Sequence, residues 1–284
     1  MEFVSNDGEQ QYAACVRAAD DLLVGLDFDG VLAPLVDDPE KAHIHPDASA
    51  VLVSLATQVR AVAVVTGRPA RQALDLGGLE GVGQEIGERG RELFVLGQYG
   101  NERWTSTDRR VISPKPPRGL ATFTSELPRL LRRAEAGEAW IEEKGLAVAV
   151  HTRRLEDPQA AYERLLPILT EAARGYDLDV EPGRSVVEVR AHGMDKGAAL
   201  RRLVAELAAK AVVFGGDDLG DVAAFEAVRE LRGGGAPGLL VCSASPEHGE
   251  VEELADLSDI VVDGPEGVLA LLAGLTRDIR SARA

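Results

Sequence analysis

The stretch Leu22-Leu23-Val24-Gly25-Leu26-Asp27-Phe28-Asp29-Gly30 constrains this chain most. An unbroken apolar run reads as a strand buried on both faces, the kind found in parallel sheets. It ends abruptly in two carboxylates one residue apart. In open α/β sheets ligands sit at the carboxyl ends of the strands, so Asp27 and Asp29 fall where chemistry happens. Alternation puts both on one side if the strand continues through them. Two anions that close repel unless a cation stands between them, and hard carboxylate oxygens suit Mg²⁺. Gly30 then allows a tight turn beside whatever binds. The plainer alternative is a strand-end turn whose acids only hydrogen-bond the loop.

The same pattern recurs. Ala61–Val65 is a second buried run, ending in Thr66-Gly67-Arg68-Pro69, and Leu93–Leu96 is a third. Ala211–Phe214 ends in Gly215-Gly216-Asp217-Asp218-Leu219-Gly220-Asp221, and Asp195-Lys196-Gly197 opens a helix through Leu207. Parallel strands deliver their ends to one edge, so Asp27, Asp29, Thr66, Asp217 and Asp218 can converge. A half-hydrated Mg²⁺ needs only one or two carboxylates with a backbone oxygen and a substrate phosphate. Thr66 offers an anion its hydroxyl and its backbone N–H. Lys196 offers an ammonium and the free amides of a helix start. Arg68, beside Thr66, is a further candidate cation for substrate.

Between these two βα stretches the rhythm changes. Ser113-Pro114-Lys115-Pro116-Pro117 reads as a stiff linker, followed by a basic helical segment from about residue 120 to 134. Trp140–Lys144 and Leu146–Thr152 read as paired strands, Ala160–Ala173 as a helix, and Leu178–Glu181 with Ser185–Arg190 as a hairpin around Pro182-Gly183. The expectation is an α/β core with a doubly wound parallel sheet, residues 1–112 and 193–284, and an inserted α+β unit, residues 113–192. Two crossings between them would make a hinge. Gly77 to Gly90 is glycine-rich and reads as a loop. Its glycines do not make a dinucleotide fingerprint. His43 and His45 read as loop residues without a role.

The formal net charge is −16. That argues against nucleic acid or an anionic membrane as partner, and an anionic substrate would have to be drawn by local cations. The two cysteines, Cys15 and Cys242, lack metal spacing and read as reduced thiols. No secretory signal and no membrane-spanning segment is read from the sequence, so the cytoplasm is the expected location and a monomer the expected state.

The strand-end stretch resembles the signature of the haloacid dehalogenase superfamily of phosphotransferases. That resemblance implies Asp27 as the nucleophile that forms an aspartyl-phosphate, and Asp29 as the acid that protonates the leaving group and then the base that activates water. It implies Thr66 and Lys196 as the second and third motifs. It gives Asp27 and Asp217 as side-chain Mg²⁺ ligands and Asp29 as a backbone-oxygen ligand, with Asp218 and Asp221 acting through water or orienting the others. The usual Thr after Asp-x-Asp-Gly is Val31 here. A finer resemblance runs from Leu22 to about Leu272, through Asp27-Phe28-Asp29-Gly30-Val31-Leu32-Ala33-Pro34, Tyr99-Gly100-Asn101-Glu102, Ile141-Glu142-Glu143-Lys144-Gly145, His151-Thr152-Arg153 and Val187-Glu188-Val189-Arg190. Together these look like trehalose-6-phosphate phosphatases. The family implies that Glu142, Lys144 and Glu188 hold the distal glucose and that Arg153 lies near the phosphate or proximal sugar. Read without the family, those four are better taken as a solvated face laced with ion pairs. Gly220 and Val222 stand where many members carry Thr and Glu. The resemblance implies a Mg²⁺-dependent phosphatase of trehalose 6-phosphate. Its rivals are a sucrose-phosphate or mannosyl-phosphate phosphatase, and a non-catalytic sugar-phosphate-binding regulator.

Overall fold

The computed structural model describes residues 3–5, 7–36, 38–183, 185–191, 193, 195–244 and 252–284. His192, at the expected far edge of the insertion, lies outside them. The chain divides into two compact units, Met1–Ile112 with Asp195–Ala284, and Ser113–Met194.

In the first unit, helix α1 (Gly8–Arg17) precedes strand β1 (Leu22–Leu26), followed by α2 (Ala48–Ala56), β2 (Ala61–Val65), α3 (Ala70–Gly77), α4 (Leu79–Glu88), β3 (Leu93–Gly97) and β4 (Glu102–Thr105). The second unit contains α5 (Leu120–Arg133), β5 (Trp140–Glu143), β6 (Ala147–His151), α6 (Pro158–Arg174), β7 (Leu178–Gly183) and β8 (Val186–Ala191). The first unit resumes with α7 (Lys196–Leu207), β9 (Ala211–Gly216), α8 (Val222–Gly233), β10 (Gly238–Ala244), α9 (Glu252–Leu257), β11 (Ile260–Asp263) and α10 (Gly264–Arg283).

The large sheet has the order β11-β10-β9-β1-β2-β3-β4 and is parallel except for β4. The chain winds outward from β1 through β2 and β3, then returns to the other side of β1 at β9. Strand order therefore reverses between β1 and β9, and a crevice opens there at the carboxyl ends. Alternation divides the strand residues between two cores. Leu22, Val24 and Leu26 pack with helices α2 and α10, while Leu23 packs with Leu200 of α7 and Phe225 of α8. Gly25 is small because Phe214 fills its place: a Cβ there would lie 2.9 Å from the Phe214 ring. Asp27, two residues on, faces the α7 side.

The second unit has one antiparallel sheet, order β5-β6-β8-β7. Its apolar face, Val148, Val150, Val187 and Val189, packs on Phe123 and Leu127 of α5 and on Leu165 and Leu169 of α6. The opposite face carries charge. The expected fold class, a mostly parallel sheet with a separate smaller one, is what the structure shows.

Two segments differ from the sequence reading. Gly77 to Gly90 is not a loop but the end of α3 and the whole of α4. Leu79, Val82 and Ile86 recur at helical spacing and are buried, and Gly83 is small because Trp104 lies over it, 2.7 Å from where a Cβ would stand. Packing outweighs the cost of glycine in a helix. Strand β4 was not anticipated at all: Glu102 and Arg103 are polar, and only its edge pairing with β3 makes it a strand. Among the described residues no helix is long and apolar enough to cross a membrane. Both cysteines are free and buried.

Candidate active site

The first unit brings its acids together at the β1/β9 crevice. Oxygens of Asp27, Asp217 and Asp221 all lie within 4.8 Å of one another. Asp27 follows β1, and its backbone N–H extends the ladder to the Gly215 carbonyl. Lys196, the first residue of α7, reaches both Asp27 Oδ2 and Asp221 Oδ1 at 2.8 Å. Burial works against the Lys196 charge, but Asp221, Asp27 and Asp218 outweigh it and hold the ammonium well above its usual range. Burial pushes the Asp27 carboxyl up; Lys196 pulls it back, and Asp221, Asp218 and Asp29 push it up further. Asp217 is raised likewise, by burial first and then by Asp218 and Asp27.

Asp221 is a placed residue. Its Oδ1 accepts from Lys196, and its Oδ2 accepts the N–H groups of Asp217 and Asp218 at 3.0 and 3.4 Å. Asp218 is exposed, and its Oδ1 accepts the Gly220 N–H at 2.8 Å. The turn Asp218–Asp221 thus closes on itself, and Gly220 sits where a Cβ would lie 3.0 Å from Asp218 Oδ1. Gly30 has φ +68°, and a Cβ on it would lie 2.2 Å from Asp217 Oδ2. Only glycine lets the Asp27–Gly30 loop pass under Asp217. Ser243, at the end of β10, holds the same loop by donating to the Gly30 carbonyl at 2.6 Å.

Asp29 stands apart from this cluster. Arg68 grips both its oxygens, Nε and Nη2 each at 2.7 Å, and lays its guanidinium 5.5 Å from the Phe28 ring centroid. The metal role expected of Asp29 concerns its backbone oxygen, a different atom. Thr66 is buried, and its Oγ1 accepts the Arg68 N–H at 3.1 Å, which leaves the hydroxyl proton to donate outward. Its own backbone N–H does not serve a phosphate as expected: it is spent on the Leu96 carbonyl at 2.9 Å. Gln98 and Tyr99, missed by sequence reasoning, strap this turn down. Their N–H groups donate to the carbonyls of Arg68 and Thr66, with both residues left-handed at φ +46° and +57°. Such backbone costs about 1–3 kcal/mol per residue and gathers at functional sites. Nothing in the sequence marks it, since neither residue is glycine or asparagine.

A divalent cation fits this donor set. Three buried or half-buried carboxylates face one ammonium, an excess of two negative charges. Asp27 Oδ1 is buried without a hydrogen-bond partner. A buried carboxylate oxygen that meets no donor is arranged for a metal or an electrophile.

In the second unit, register alone lines up Glu142, Ala149, Glu188 and Glu181 across the polar face of the sheet. Lys144 Nζ donates to Glu188 Oε2 at 2.6 Å, and Arg190 Nη2 to Glu181 Oε2 at 2.7 Å. His151 Nε2 lies 2.9 Å from Glu142 Oε2. Cross-strand ion pairs are therefore present. Glu188, however, is 5% exposed and its Oε1 has no hydrogen-bond partner, with Arg190 Nη1 3.7 Å from it. A buried acceptor left open on a polar face calls for a donor such as a hydroxyl. The alanines of β6, Ala147 and Ala149, keep the middle of that face low. Arg153 is not on a cap strand but exposed in the turn after β6, without an ion pair among the described residues. Arg190 and His151 were quoted in the sequence reading without being given a task.

The family model for trehalose-phosphatases matches residues 25–259. A probable trehalose-phosphate phosphatase of Sinorhizobium fredii is 31% identical over 234 residues, 80% of this chain and 81% of the relative. An uncharacterized glycosyl hydrolase of Mycobacterium tuberculosis is also 31% identical, over 270 residues that make up 91% of this chain but only 18% of the relative's length. Among solved structures, the C-terminal domain of the Candida albicans trehalose-6-phosphate phosphatase aligns with a TM-score of 0.74, at 19% identity, over 97% of this chain and 98% of that one. The last of these speaks for the fold alone. The family match spans both halves of the large sheet and the unit between them, with the acid cluster inside it, and on that footing the chain belongs to the trehalose-phosphatase family of the haloacid dehalogenase superfamily.

Proposed function

We propose that this protein hydrolyses trehalose 6-phosphate to trehalose and inorganic phosphate. The observation that carries the chemistry is the open, buried Oδ1 of Asp27 within the acid cluster at the strand-order reversal. That oxygen attacks phosphorus, and the bond from phosphorus to the sugar oxygen breaks. Asp29 gives the leaving oxygen its proton. Water then attacks the aspartyl-phosphate, Asp29 takes the proton from it, and Asp27 and phosphate are released. Lys196 opposes the burial and the neighbouring acids that favour the protonated form of Asp27, and Thr66 donates its hydroxyl to a phosphate oxygen. Arg68 grips both Asp29 oxygens and must release one before Asp29 handles a proton, which would free its guanidinium to turn toward the phosphate. Asp27 and Asp217 would hold Mg²⁺ by their side chains and Asp29 by its backbone oxygen, with Asp218 reaching it through water and Asp221 orienting the set. When bound, the metal neutralises charge on the transferring phosphoryl group.

The sugar half of the reading rests on the second unit. Glu188, with an oxygen open to a hydroxyl donor, supports a face that binds a polyhydroxyl ring, together with Lys144 and Glu142; Arg153 adds an exposed cation for the phosphate or nearer sugar. The test is phosphate release from a panel of trehalose 6-phosphate, sucrose phosphate, a mannosyl phosphate and a small aryl phosphate, with Mg²⁺ and with chelator. Trehalose 6-phosphate should be hydrolysed at least about tenfold more efficiently than the others, a difference of one well-made charged hydrogen bond or more. Release from another sugar phosphate but none from trehalose 6-phosphate would move the protein to a different substrate.

Glu188→Ala should lower kcat/KM on trehalose 6-phosphate about ten- to a hundredfold, the usual cost of losing a charged hydrogen-bonding partner. Remote binding energy is used in turnover, so kcat should fall with affinity. The aryl phosphate should lose far less. Equal losses on both would mean that Glu188 holds the fold through Lys144 and Arg190, as a plain ion-pair network would.

A further inference from the structure

We propose that His151 is a positioning residue that sets sugar specificity by holding Glu142. The proposal rests on the reading of this face as the sugar site. Trp140 and His151 stand directly opposite in the β5/β6 register. Their rings stack with centroids 4.5 Å apart and planes 28° from parallel. Arg154 lays its guanidinium 5.0 Å from the same indole centroid. The imidazole is therefore fixed in orientation by its neighbours, not by Glu142 alone.

So fixed, its Nε2 meets Glu142 Oε2 at 2.9 Å across the diagonal of the two strands. A carboxylate has no proton to give, so Nε2–H must be the donor. One oxygen of Glu142 is thereby pinned. A free glutamate side chain samples several rotamers, and ordering it upon binding weakens the grip on a ligand. Here that ordering precedes the ligand. The arrangement suits a neutral polyhydroxyl ring, whose hydroxyls need a carboxylate at a fixed place rather than a diffuse charge. His151 touches no reacting atom, and its effect passes through Glu142.

A double-mutant cycle tests this, using the sugar phosphate that the wild-type protein hydrolyses best. The readout is kcat/KM on that substrate divided by kcat/KM on a small aryl phosphate. His151→Ala should lower the ratio about tenfold, as expected for a hydrogen bond to a charged group, chiefly through KM. His151→Gln should restore most of it, since an amide N–H can donate to Glu142 from a similar place. In a Glu142→Ala background, His151→Ala should add less than about twofold, because coupled residues are not additive. An unchanged ratio in His151→Ala overturns the proposal. So does an undiminished effect in the Glu142→Ala background, or an equal loss on both substrates with a lowered melting midpoint. If the best substrate is not trehalose 6-phosphate but the cycle shows this coupling, the substrate reading fails and the role of His151 stands.

Discussion

Asp27→Asn should abolish phosphate release and, in chelator, make the protein more stable. An amide is a poor nucleophile, so turnover should fall below detection on every substrate, the aryl phosphate included. The stability gain follows from the crowd around that carboxylate. Asp27 is buried beside Asp221, and its Oδ1 has no donor. An amide nitrogen in that place can donate to a neighbouring carboxylate, while the amide oxygen still accepts from Lys196. A gain of about 1–2 kcal/mol is expected, typical of a site that trades stability for activity. The pH dependence separates this from an accident of packing. The folded protein holds a proton on Asp27 above the ordinary aspartate value of 3.8, where the unfolded chain has released it. The contribution is complete below that value and is lost as pH rises through the higher folded one. The gap between variant and wild type should therefore be small in acid and widen toward neutral pH. Urea titrations in chelator at several pH values would show it. Retained turnover in Asp27→Asn sinks the mechanism, and a gap that narrows with rising pH sinks the electrostatic account. With the aryl phosphate, whose phenolate leaves without an acid, Asp29→Asn should instead accumulate phosphorylated protein, because the aspartyl-phosphate forms but lacks its base.

What could be read from the sequence divides along physical lines. Buried strands that end in acids are a local signal, and register carries them to one edge whatever the loops do. Asp27, Asp217 and, at the end of its own buried strand, Thr66 were legible for that reason, and Lys196 as the start of a helix. The βα rhythm and its interruption likewise gave both sheets. Other features depend on partners distant in sequence and had no local mark. Strand β4 exists because β3 offers an edge. The glycines of α4 belong to a helix because Trp104 needs the room at Gly83. Asp221 was legible only as an accessory acid, although three donors converge on its carboxylate. The left-handed Gln98 and Tyr99 are strained by the turn they hold, and strain leaves no trace in residue type. The backbone N–H of Thr66 was assigned to a ligand because the sequence does not show that the ladder from Leu96 uses it.

Lys196→Met shows how far one side chain joins fold to chemistry. As a helix-start lysine it reads as an anion site, but the structure commits it to two acids at once, Asp27 and Asp221, each at 2.8 Å. It is 3% exposed, so no water replaces it when it is removed. Breaking a buried pair from one side strands the remaining charges, which typically costs about 3–5 kcal/mol. That loss is expected in chelator, read from the urea midpoint. Turnover should fall by about two to three orders of magnitude, comparable to deleting a preorganised charge stabiliser elsewhere. The two effects can be separated through Asp221. Its Oδ1 is oriented by Lys196, so in Lys196→Met with Asp221→Asn one buried charge leaves with its partner. Removing both ends of a buried pair is close to neutral, so most of the stability should return. Activity should not return, because Asp27 still lacks the cation that opposes its protonation. If the double variant regains turnover along with stability, Lys196 serves the fold alone, and the charge at Asp27 is maintained by something other than this lysine.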